Sequence, residues 1–247
     1  MGRKEEYRHA LHFMTEPERT AYLDHHSGLP GPRGNLELIQ AAADEGDAVW
    51  FEMLAGSADE FHATTGAVGL GRLLAQEPDD YFMHRLYDLA SDPRWRVREG
   101  VAMALQRLGD ADPARLWILA RAWAADPDPL VQRAAAAGVC EPRLLRPAGA
   151  AAVALEVCET ITSLLAARPR EQRRSDAVRS LRQTLGYCWS VAVAALPPEG
   201  PACMERWFRV EDKDVRWIMK ENLTKNRLAR MDSAWVRQWQ AYFLQQP

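Results

Sequence analysis

"SDPRWRVREGVAMALQRLGDADP", Ser91 to Pro113, opens on Asp-Pro, passes through a Val-Arg pair into small and apolar residues, and closes on Leu-Gly-Asp. Val97, Val101, Ala104, Leu105 and Leu108 recur at the spacing of one helix face. Asp92-Pro93 reads as the cap that starts this helix and Gly109 as the residue that stops it. Shifted back by 34 residues, the stretch falls on "SADEFHATTGAVGLGRLL" from Ser57, with Phe61 on Trp95, Gly66 on Gly100 and Leu74 on Leu108. Shifted forward by the same amount, Asp92-Pro93 falls on Asp126-Pro127 and Val97 on Val131. A fixed period in this range is the mark of stacked supersecondary units.

Each unit reads as two helices. Asp112-Pro113 starts one whose Leu116, Leu119, Ala120 and Trp123 share a face. It must end at Asp126-Pro127-Asp128-Pro129, because proline has no N–H to donate and disfavours helix in the residue before it. Looser echoes open at Ser175 and Asp212, each with a Val-Arg pair, and their spacing implies an insertion over about 142–170. The expected division is an N-terminal helical cap over 1–50 and a repeat array over 51–247, with the best repeats at 57–142 and looser ones at 175–247. Strand signals are nearly absent, so the fold class is all-α, a solenoid of stacked antiparallel helix pairs. "SGLPGPRGN", Ser27 to Asn35, is the clearest loop, either a linker or an ordered lid.

The order Asp-Pro, Val-Arg, small residues, Leu-Gly-Asp resembles the HEAT-repeat family. That resemblance implies a curved array that works by binding along its concave face, with Asp92 and Arg98 at the spacing of the family's ladder between repeats. A narrower resemblance is to HEAT-like alkylpurine DNA glycosylases. It implies an alternative in which Trp95, Glu99 and Arg133 act at a damaged base, although Glu99 stands where that family has aspartate.

The 247 residues are 47% hydrophobic and 26% charged, an ordinary globular balance. The net charge of −3 is unevenly spread: residues 1–167 carry 16 Lys and Arg against 25 Asp and Glu, and residues 168–247 carry 15 against 9. That asymmetry points to an anionic partner for the basic half or to an internal fit. Two basic segments stand out, one with Arg173 and Arg174, the other with Arg216, Lys220, Lys225 and Arg227 beside Trp217. Together with Arg94, Trp95, Arg96 and Arg133 they are the candidate contacts to a protein or nucleic acid. The Trp95 ring, between two arginines, could stack on a base or a guanidinium.

Cys140, Cys158, Cys188 and Cys203 form no Cys-x-x-Cys pair and read as reduced thiols in a cytoplasmic protein. His9, His12, His25 and His26 lack the accompanying carboxylates of a metal motif, and no glycine pattern cradles a phosphate. Neither a metal nor a small-molecule cofactor is expected. No run of eighteen residues is free of charge, and the N-terminal residues lack an apolar core with a cleavage site, so no membrane partner is expected either. The sequence leaves the oligomeric state open.

Overall fold

The computed structural model describes residues 2–245. Among them every regular element is helical, and the chain divides into two compact units, Met1–Asp112 and Pro113–Pro247.

In unit 1, α1 (Arg3–His12), α2 (Glu16–His26) and α3 (Leu36–Glu45) precede two helix pairs, α4 (Ala48–Ala55) with α5 (Glu60–Gln76) and α6 (Asp80–Ala90) with α7 (Trp95–Ala111). Four residues or fewer join the members of each pair, which forces them to run back along each other. The caps follow ordinary chemistry: Asp47, Asp59 and Asp79 each accept a backbone N–H from the first turn of the helix they precede.

Residues 63–71 of α5 are buried all round because the helix packs on α4 along one side and on α7 along another. Small residues at the closest approaches permit that. A methyl group at Gly66 would overlap the backbone of Ala55 in α4, and one at Gly71 would overlap Ala104 in α7. Trp50, Phe51 and Phe61 fill the space around this seam and are at most 2% exposed. Each such side chain contributes roughly 1.5–3 kcal/mol by leaving water.

The stretch from Ser91 differs locally from its sequence reading. Asp92 does not cap α7: its carboxylate accepts the N–H of Arg94, which is the residue just before the helix. Gly109 does not end the helix either, since α7 continues to Ala111 with Gly109 buried inside it. Burial against neighbouring helices outweighs the weak helix preference of one glycine.

Unit 2 holds α8 (Pro113–Ala124) with α9 (Pro129–Val139), α10 (Ala150–Ala167) with α11 (Asp176–Ala195), and α12 (Gly200–Phe208) with α13 (Lys213–Leu223). Then come α14 (Asn226–Met231) and α15 (Ser233–Gln245). The residues between α9 and α11 are a 3-10 turn at Pro142–Leu145, all of α10, and a second 3-10 turn at Arg170–Arg174. Packing of α11 on both α9 and α13 forms the core. Trp189, fully buried, donates its indole N–H to Thr162 Oγ1 at 3.0 Å. Asn222, also fully buried, accepts the Ser190 N–H at 2.7 Å and donates to the carbonyls of Leu185 and Ile218.

By length and composition α10 could cross a membrane, and 56% of it is buried inside the structure. Its glutamates are paired, Glu156 with Arg121 and Glu159 with Arg206.

Candidate partner-binding surface

Of the nine tryptophans, all within the described residues, Trp95 alone is exposed, at 53%. It is the first residue of α7, so its ring leaves the helix where no preceding turn covers it. One face is occupied: the Arg96 guanidinium lies 4.4 Å from the ring centroid. The same Arg96 pairs with Glu60 of α5 at 2.7 Å. Arg94 is held more completely, with a two-pronged bond to Asp92 at 2.9 and 2.7 Å and further bonds to the carbonyls of Ser57 and Ala58 in the preceding repeat. Burial pushes the Asp92 carboxyl up, but the bonds from Arg94 outweigh it and hold the group below the ordinary carboxylate range. Arg98 donates to the carbonyls of Asp92 and Pro93.

Arg96 also lines a cleft of about 450 Å³ formed with α2, the Ser27–Asn35 loop and the first turn of α5. The loop is ordered, closed by the Asn35 N–H on the Ser27 carbonyl at 2.8 Å, and Gly28 takes φ +75, where a side chain would be strained. Asp24, Asp59 and Glu60 give the cleft its acidic character. His62, on the same wall, lies 2.8 Å from Asp24.

In unit 2 the basic segments are tied down in a similar way. Arg173 pairs with Asp212 at 2.5 Å, lies 3.5 Å from Asp214, and donates to the carbonyls of Ala166 and Arg168. Its burial favours the neutral form, but the two aspartates outweigh that and raise it above its ordinary value. Arg182 pairs with Asp214 at 2.8 Å and lies over the Trp217 ring at 4.7 Å. Lys225 pairs with Glu221, and Arg227 donates to the Tyr187 hydroxyl. Arg216 and Lys220 both lie over the Phe243 ring, at 5.5 and 5.6 Å. Arg174 and Lys220 are exposed.

The three residues of the base-excision alternative fall in both units. Trp95 and Glu99 are on α7, while Arg133 is on α9 and only 7% exposed. Among the described residues no group of three or more His, Cys, Asp or Glu could hold a metal ion.

Sequence reasoning missed Glu60, Asp24, His62, Asp212 and Asp214. A signal existed for two of them: Glu60 precedes Arg96 by 36 residues and Asp212 follows Arg173 by 39, both near one repeat length. Opposite charges at that separation face each other across adjacent helix pairs.

Residues 48–140, from α4 to the end of α9, match the family model for HEAT repeats. Over that span the chain resembles a HEAT-repeat array. No curated protein matches it. Two crystal structures of engineered proteins from the Northeast Structural Genomics Consortium align with it. The first has 17% identity and a TM-score of 0.38, covering 94% of this chain and 98% of the other. The second has 15% identity and a TM-score of 0.39, covering 94% and 100%. A HEAT-repeat scaffold of this kind fits a non-enzymatic protein.

Proposed function

We propose that the chain is a non-enzymatic HEAT-repeat scaffold for a protein partner, anchored at Trp95 and the cleft beside it. The observation that carries this reading is the contrast at the start of α7: Arg94 and Arg96 are bonded into the fold, whereas the ring between them is exposed. A half-exposed tryptophan stiffened by a stacked guanidinium is the type of side chain that anchors protein interfaces. The partner brings a basic segment. Unit 1 carries 11 Lys and Arg against 20 Asp and Glu, and the cleft adds Asp24, Asp59 and Glu60 at close range.

A phosphate backbone needs cations that are not already neutralised, and Arg94, Arg96, Arg173 and Lys225 each have a carboxylate partner. The test is a fluorescence-polarisation titration of the full chain with a short DNA duplex at about 150 mM salt. The protein-partner reading expects no saturation below about 10 µM, a level at which weak non-specific binding by exposed cations begins. Sub-micromolar binding that collapses on raising the salt would overturn it.

A further inference from the structure

A second cavity in unit 1, of about 390 Å³, lies where side chains of α1, α3, α5 and α7 converge: Lys4, Gln40, Arg72, Gln76, Arg107 and Asp110 line it. Its cations outnumber the acids available to them. Asp44 is shared, one oxygen on Lys4 at 2.8 Å and the other on Arg107 at 2.7 Å. Arg107 completes its fork on the side chain and carbonyl of Gln40. Glu45 is taken by Arg8 and His12, and Asp110 is itself engaged.

Arg72 is the residue left over. It donates once, to the Gly46 carbonyl at 2.5 Å, and lies over the Phe51 ring at 5.5 Å. Among the described residues no carboxylate comes within ion-pair distance of it, and its Nε is buried with no acceptor. A half-buried guanidinium with no directly paired acid is costly, because the solvation it loses is only partly offset by one carbonyl and by the more distant charges of Asp44, Glu45 and Asp47. Burial first, and then the neighbouring charge of Arg107, push Arg72 below its ordinary value. The fold therefore keeps two guanidiniums and an ammonium around one cavity although they repel one another.

We propose that this cavity is an oxyanion site for a phosphate group, held first by Arg72, the one of its three cations with no paired acid, with Arg107 and Lys4, which share the single carboxylate of Asp44, beside it. Planar guanidiniums on two helices suit the several oxygens of a phosphate, each bond being charge-assisted. The amides of Gln40 and Gln76 supply neutral donors on the same lining. The phosphate can be a free ion or the end of a phosphoester. Both present the same chemistry to the cavity, and this site is separate from the Trp95 cleft.

The test is thermal unfolding of the full chain with inorganic phosphate, O-phosphoserine or acetate at about 10 mM, each against chloride at matched ionic strength. Phosphate is expected to raise the wild-type Tm by about 2–4 °C, because only the folded chain has the site. Arg72→Met is expected to abolish the shift. Lys4→Gln alters a side chain 42% exposed and is not expected to affect folding; it should cut the apparent affinity about three- to tenfold. A phosphoserine response equal to that of phosphate supports the site and assigns it to phosphoesters, and a response to phosphate alone supports it for the free ion. An acetate response as large as the phosphate one overturns the phosphate assignment. No wild-type shift, or the same shift and affinity in Lys4→Gln, overturns the site even if Arg72→Met does not fold.

Discussion

Gly71 of α5 lies so close to Ala104 of α7 that a methyl group added at residue 71 would overlap the alanine's Cα and Cβ. The two helices are the second members of successive pairs, so this contact fixes how closely one repeat stacks on the next. Gly71→Ala should lower stability by about 1–3 kcal/mol through overpacking. The control is Gly56→Ala, where the nearest atom to an added methyl is 3.5 Å away. Urea unfolding of both variants checks this, and equal midpoints would contradict the packing argument.

Much of this seam was legible in the sequence. The 34-residue register aligned Gly66 with Gly100 and Val97 with Val131, and all four are buried. Periodicity reveals such positions because burial of apolar and small residues repeats with the fold. The roles of Arg94, Arg96 and Arg173 were not legible. Arginines beside a tryptophan look the same in a sequence whether they face a ligand or grip the next repeat. Part of what they grip is backbone carbonyl, at Ser57, Ala58, Ala166 and Arg168, which leaves no residue-type signal. Arg72 was passed over for the opposite reason: its importance lies in lacking an acid, and a sequence does not display that.

Asn222, fully buried, ties α13 to α11 through two hydrogen bonds and makes a third within its own helix, to the Ile218 carbonyl. Asn222→Leu removes the acceptor of the Ser190 N–H and a donor to the Leu185 carbonyl. A destabilisation of about 1–3 kcal/mol is expected, the cost of leaving buried polar groups without partners. Chemical denaturation measures it, and an unchanged midpoint would show that the amide is not needed for the α11–α13 contact.

Asp212 links stability to pH. Its burial raises the carboxyl, but bonds from Arg173 and from the N–H groups of Val215 and Asp214 outweigh this and leave it below its ordinary value. A group lowered on folding contributes stability above its unfolded value, about 3.9, and loses that contribution as pH falls through the folded value. Asp212→Asn should therefore be less stable than wild type at pH 7, and the gap should close as the pH drops below about 4. Melting curves from pH 7 to pH 2 test the sign. A gap that stays constant across this range would mean that the Asp212 charge contributes nothing.

Trp95 is the anchor of the proposed protein interface. The direct measurement is photo-crosslinking from residue 95, with a photoreactive amino acid in place of the tryptophan and a second chain labelled at exposed Leu244 as control, in the cells that make the protein. Adducts are divided between nuclease and protease treatment. The prediction is a discrete adduct from residue 95, absent from residue 244, that resists nuclease and is destroyed by protease. A nuclease-sensitive adduct, or the same pattern from both positions, would contradict it.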